Sequence, residues 1–367
     1  MTPPLTGREP RLSTTYGQQG QRRLSIMGLA NTLNLLPANS ISLEALAEAL
    51  RSDAFYVRYS AAKKLAERAD REARLLVKDL LTNPKESAPT RASVARHLYA
   101  FSWFSAEPLL TAAFTDKDER VRESAAYALC DFHELTAFEF LAHRLQKETD
   151  GVRMAAAWGL RDTQDPAALA CIEAILLAED PEVRIKGLEA LGNTELDAAM
   201  PIARRMLNDP EPDVKYAACL SLIELAGDAC FQELSGMIGR TKGETLRQVL
   251  RGFFHATNYL KIDIGTARGG EMLIDSLETA LFDDEPEVRM AALWPLAWTN
   301  HARMPSILRQ AYFREVDPEV KAHLVRVTVS LENEAAASIL EDALRSPEKP
   351  VKAMAEKLRE ERTARVS

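Results

Sequence analysis

The densest grouping of metal-ligating residue types in the chain is "CDFHE", which supplies Cys130, Asp131, His133 and Glu134. A thiolate, an imidazole and two carboxylates could take part in a zinc site if further ligands came from elsewhere. No second half accompanies them. There is no CxxC, and His97, His143, His255, His301 and His323 stand singly. The cluster reads as structural, and no metal is expected. Neither GxSxG nor a Walker or Rossmann glycine pattern occurs, so nothing pairs a histidine with a nucleophile or cradles a phosphate. No catalytic residue and no cofactor is expected.

A second chemical feature is periodic. A basic residue follows a small aliphatic one at Arg58, Arg91, Arg122, Arg153, Arg184, Lys215, Arg247, Arg289, Lys321 and Lys352. Such a track could contact phosphates. However, an acid stands four residues earlier in several units: Asp118, Asp180, Glu211, Glu285 and Asp317. That spacing favours an internal acid–Arg ladder that ties successive turns together.

The third feature is an excess of aromatic and Met side chains one and five residues after this basic marker. These positions hold Tyr127, Met154, Trp158, Ile185, Tyr216, Leu220, Met290 and Trp294, with Trp298 one helical turn beyond Trp294. Apolar surface of this composition marks interaction sites when exposed. Curvature could instead bury the rings against adjacent repeats, and both readings stand. The ends of the same line carry Lys63, Arg96, Arg326 and Lys357, which would suit a partner with acidic flanks.

The elements that must position these residues follow from the period. The marker recurs every 31 to 33 residues, with one step of 42 from Arg247 to Arg289. A period held this long indicates a solenoid. Each unit reads as two helices with "DPEV" or a variant between them, Asp capping and Pro opening the second helix. In that helix Val, Ala and Leu stand one before, three after and seven after the marker, as in Val183, Gly187 and Leu191. At ~100° per residue the three columns share one face, the expected core seam. Phe254 falls in the last column.

The bulk composition agrees. Of 367 residues, 16 are Gly and 7% are aromatic, which disfavours a turn-rich β fold and suits an Ala/Leu/Val core. The net charge of −8 repels phosphate backbones, so nucleic acid is disfavoured as a partner. Four separated cysteines read as buried thiols in a reducing compartment. The first residues lack the apolar stretch of a secretory signal, and no run approaches a membrane span of ~20 residues. A cytoplasmic location is expected. Residues 1–40 read as a basic tail with a short capping helix, and 41–367 as the repeat array. The long step marks a surface-loop insertion near 258–270, neutral or functional.

The "DPEVRxxAAxALG" pattern resembles HEAT-type α-solenoids, in the short form found in bilin-lyase-like proteins. The resemblance implies an all-α, right-handed solenoid of about ten two-helix repeats. It also implies extended binding surfaces, with second helices on the concave side. HEAT-type iron hydroxylases carry several His-Glu pairs; this chain has one, at a different repeat position, so that activity is not supported. The expected function is a non-catalytic scaffold binding a protein or peptide partner. A chaperone or transferase for a linear tetrapyrrole, and a HEAT-like nucleic-acid binder, are the alternatives.

Overall fold

The computed structural model describes residues 28–68, 70–297, 299, 301–330 and 334–366. Trp298 and most of the basic tail lie outside the described residues. Among the described residues every regular element is helical. The helices fall into two compact units, one ending at Gly159 and one starting at Leu160.

In the first unit α1 (28–35) precedes four helix pairs: α2 (Leu43–Leu50) and α3 (Phe55–Glu67), α4 (Arg71–Thr82) and α5 (Ala88–Ala95), α6 (Trp103–Phe114) and α7 (Glu119–Cys130), α8 (Leu135–Leu145) and α9 (Asp150–Gly159). The second unit holds six pairs: α10 (Leu169–Ile175) and α11 (Pro181–Gly192), α12 (Met200–Met206) and α13 (Pro212–Ala226), α14 (Phe231–Ile238) and α15 (Gly243–Asn258), α16 (Gly270–Ala280) and α17 (Pro286–Ala297), α18 (Met304–Arg314) and α19 (Pro318–Ser330), α20 (Glu334–Leu344) and α21 (Lys349–Val366). Within each unit, second helices pack on neighbouring second helices and first helices on neighbouring first helices, in chain order.

Local chemistry sets these boundaries. Asp180 accepts the Glu182 backbone N–H at 2.9 Å, and Pro181 opens α11. Asp317 does the same for α19, accepting from Glu319 and Val320. The expected seam is the core: Val57, Val121, Val152, Val183, Val214 and Val288 are buried, as are Leu65, Leu98, Leu129, Leu160, Leu191, Leu222 and Leu296. Each such Val or Leu contributes about 1.5–3 kcal/mol by leaving water. The small column between them sets the helix spacing. At Gly187 a Cβ would lie 3.0 Å from both Ile175 and Leu176, so the first helix sits directly against the α11 backbone.

The column fails at one place. In α15 Phe253 is fully buried and packs edge-on to Phe231 at 5.6 Å, whereas Phe254 is half-buried. This helix lacks the Asp-Pro start and runs for 16 residues, so its register is not that of its neighbours. The inserted segment is also anchored. Ile264 is fully buried, Asp263 accepts from Gly265 N–H and Thr299 Oγ1, and Asp228 accepts the Arg268 N–H at 2.9 Å. Gly270 closes the insertion because any Cβ there would fall 2.0 Å from the Ile264 carbonyl oxygen. Its approach, Tyr259 to Lys261, is exposed, as are Thr266 and Arg268.

The ladder exists, but its acids are not the ones four residues before the marker. Of those, Asp118, Asp180 and Asp317 cap helices. Instead Arg91 binds Asp116 (2.6 and 2.9 Å), Arg122 binds Glu148 (3.0 Å), and Arg184 binds Asp209 (2.9 Å twice). Arg289 binds Glu315 (2.8 and 2.7 Å), and Lys321 approaches Glu348 at 3.9 Å. Each acid belongs to the next unit's turn. The remaining guanidinium nitrogen donates to carbonyls of the turn that joins the two helices of its own repeat. Arg184 Nη1 reaches Ala178 and Glu179, and Arg289 Nη1 reaches Asp283 and Asp284. One side chain thus pins its own turn and ties two successive repeats. A capping role favours short acids at the helix start, which is why the nearer carboxylate is taken.

Candidate functional site

The second helices present their marker-plus-one and marker-plus-five residues away from the seam, and clefts open between them there. In the first unit a cleft of about 440 Å³ lies across α3, α5 and α7, with Phe55, Arg58, Tyr59, Ala92 and Arg96 in its wall and Glu123 opposite. In the second unit a cleft of about 410 Å³ brings together Ile185, Tyr216 and Leu220 beside Glu189, Glu224 and Arg251. Another, of about 590 Å³, contains Met290 and Trp294 with Gln248, Arg247 and Glu319.

The apolar residues are neither fully exposed nor sealed. Tyr127, Met154, Ile185, Tyr216, Leu220, Met290 and Trp294 are half-buried, and Trp158 is 47% exposed. Cations from neighbouring second helices cover several rings. Arg96 stacks on Tyr127, Arg251 lies over Tyr216 at 4.9 Å, and Arg326 lies over Trp294 at 5.8 Å. Arg96 and Arg326, expected as basic groove ends, are therefore ring covers as well. Lys63 and Lys357 are exposed, with Lys357 4.0 Å from Glu361 on its own helix.

Sequence reasoning placed Tyr59 in the outward-facing column and His97 and His255 near the groove, but missed Phe55, Phe254, Tyr259 and His323. Phe254, assigned to the core, touches Trp294 at 6.1 Å and Tyr259 at 6.5 Å. Tyr259 also stacks with His255 at 4.9 Å, and Trp294 meets His323 edge-on at 5.8 Å. In the first unit Tyr59 meets His97 edge-on at 4.6 Å, and Phe55, 58% exposed, leans on Tyr59. The helical spacing of Phe55 and Tyr59 was a usable signal. Contacts between helices, such as that of Arg251 with Tyr216, leave no trace in a single helix's pattern.

Electrostatics follow burial. The imidazoles of His97, His255 and His323 are all held below their ordinary range, chiefly by loss of solvent. Arg96 and Lys63 add to this at His97, and Arg326 at His323. Burial raises the Glu224 carboxyl, and Glu189 raises it further. Burial also raises Glu123, reinforced by Glu119 and Asp118. The "CDFHE" cluster does not converge. The Cys130 thiol is buried and directed at the Ala126 carbonyl, while His133 and Glu134 are exposed. Among the described residues no three His, Cys, Asp or Glu side chains come close enough to hold a metal ion. All four cysteines are buried, and burial pushes the Cys219 and Cys230 thiols up to about 12. Such surfaces can grip side chains without covalent chemistry. No helix among the described residues is long and apolar enough to cross a membrane.

Stacked helix pairs with a shared seam and an inter-unit ladder define an α-solenoid repeat protein. The sequence profile of HEAT repeats matches residues 43–130, 106–185 and 172–252, more than half of the chain, and the chain belongs to the HEAT-repeat family. No curated protein matches its sequence. Among solved structures it is similar to Kap95p, described with RanGDP, at 10% identity and a TM-score of 0.51, over 87% of this chain and 50% of that one. It is also similar to YibA of Escherichia coli, at 15% identity and a TM-score of 0.42, over 79% and 98% of the two chains. The CpcE–CpcF phycocyanin lyase complex from Nostoc sp. is similar at 19% identity and a TM-score of 0.27, over 79% and 95%. At these identities the likeness concerns the fold.

Proposed function

We propose that this chain is a non-catalytic binding scaffold that holds a segment of a protein partner against its second helices. The supporting observation is that all three of these clefts open on second helices and carry apolar side chains: exposed Phe55 and Tyr59 in the first, half-buried Ile185, Tyr216 and Leu220 in the second, and half-buried Met290 and Trp294 in the third. Pre-formed apolar clefts with a few polar groups are the usual form of a binding site. Nucleic acid is the weaker fit, because acids line the clefts of the second unit: Glu189, Asp213 and Glu224 in one, Glu244, Glu287, Asp317 and Glu319 in the other. Nothing in the cleft linings favours a tetrapyrrole over a peptide.

The test uses the full chain as bait, followed by identification of what it retains and measurement of the affinity. Trp158→Ala and Trp294→Ala together are expected to abolish capture while far-UV circular dichroism stays unchanged. Capture at unchanged affinity by this double variant would refute the reading.

A further inference from the structure

We infer that the cleft across α3, α5 and α7 takes a carboxylate side chain of the bound peptide, with an aromatic or aliphatic residue of that peptide beside it. This rests on the scaffold reading above and names the partner's chemistry at one site.

The argument begins with a gap in the ladder. Arg91 and Arg122 meet acids 25 and 26 residues further on. For Arg58 the matching positions are Asn83 and Pro84. Counted from the other side, Asp116, Asp209 and Glu315 stand six residues before their own unit's marker, and six before Arg91 stands Lys85. The neighbouring Glu86 is engaged by Arg51. Arg58 is therefore left with one carbonyl, that of Ser52 at 2.7 Å, and its Nε is shut off from solvent without a partner. Among the described residues no carboxylate pairs with Arg58 or with Arg96, yet both line the same cleft. Arg120 is there too, already neutralised by Asp118.

A guanidinium held in place but not neutralised is a receptor for a planar anion, which a carboxylate matches with paired hydrogen bonds. Beside the cleft, at His97 against Tyr59, Arg96 and Lys63 oppose protonation while Glu67 favours it less, so the nearby cations prevail. Glu123 is the one acid in the lining. It stands with the paired Arg120 on α7, so the open charge is on the α3–α5 side. Phe55, Tyr59 and Pro89 complete that side with exposed or half-exposed apolar surface, which a bare inorganic ion would leave uncovered. The chain's net charge of −8 disfavours long polyanions, leaving a short acidic peptide as the occupant.

The full chain would be used to select binders from a random dodecapeptide display library, and the enriched peptides would be remade with a dye for anisotropy titration. The expected peptides carry Asp or Glu within two positions of an aromatic or aliphatic residue. Replacing that acid by its amide weakens binding about tenfold to hundredfold, the scale of a lost charge-assisted hydrogen bond. Arg58→Met and, separately, Arg96→Gln give the same loss with unchanged helicity, and the second guards against a folding defect in the first. Peptides that bind without an acid, or whose affinity ignores both Arg substitutions, overturn the inference. If those same peptides are lost on Trp158→Ala and Trp294→Ala, the scaffold reading survives alone. If no peptide is enriched, both fail.

Discussion

Asp209→Ala provides the sharpest test of how the units are joined. The Asp209 carboxylate accepts two hydrogen bonds from Arg184, each 2.9 Å, and the backbone N–H of Glu211 at 2.9 Å. Side-chain exposure is 9% for Arg184 and 6% for Asp209, so solvent cannot replace what is removed. Truncation leaves a buried guanidinium facing a void, with only the Ala178 and Glu179 carbonyls for company. Breaking a buried pair in this way costs about 3–5 kcal/mol. Asp180→Ala, by contrast, removes a helix cap, a loss of about 1 kcal/mol. A double-mutant cycle with Arg184→Met separates the two acids. Arg184 and Asp209 should couple by about 2–3 kcal/mol, and Arg184 and Asp180 by less than about 0.5 kcal/mol. Urea unfolding followed by circular dichroism gives the totals. Amide hydrogen exchange in α11 and α13 shows whether the loss is local, because repeat arrays open in segments. If Asp209→Ala and Asp180→Ala cost the same, or if Arg184 couples to Asp180, the reasoning is refuted and the short-range ladder read from sequence is restored.

Two further outcomes are expected. Phe253→Ala should cost about 3–5 kcal/mol in urea unfolding, and Phe254→Ala about 1–2 kcal/mol; equal costs would contradict the register of α15. The urea midpoint should fall on acidification in two stages. His97, His255 and His323 are depressed in the folded state, so their contribution is complete above the unfolded value of 6.5 and is lost as pH falls below it. Burial would raise Asp116 and Glu315, but Arg91 and Arg289, with backbone N–H donors, outweigh it and hold both below their ordinary 3.8 and 4.5. Their contribution is lost in turn as pH drops through that range. Protonation of Glu123 and Glu224, both raised by burial, offsets part of the loss between the stages. A midpoint that rises between pH 7.5 and 5.5 would contradict the first stage.

The seam was legible because repetition averages out local ambiguity: Val183 and Leu191 are each confirmed by several equivalents. The helix starts were legible because Asp-Pro has one strong local meaning. Three of the ladder's acid partners, Asp116, Asp209 and Glu315, were visible as a column six residues before the marker, yet the nearer acids offered a simpler pairing. Phe254 was misplaced because α15 has no Asp-Pro start to set its phase. Pairings such as Arg96 on Tyr127 or Arg251 on Tyr216 depend on the rotation of one helix against the next. No single-helix periodicity encodes that rotation. The burial of Ile264 was equally hidden, since one Ile in a polar stretch carries no pattern.

The forward reach of the ladder arginines has a consequence for how such a chain can change length. Four junctions share one chemistry: Arg91, Arg122, Arg184 and Arg289 each meet a carboxylate from the following repeat. A duplicated stretch of 31 residues brings its own donor and its own acceptor, so both of its new boundaries close with the old chemistry. Growth or loss of whole repeats at such a junction therefore leaves the flanking joints intact, whereas a gain or loss of a few residues misaligns them.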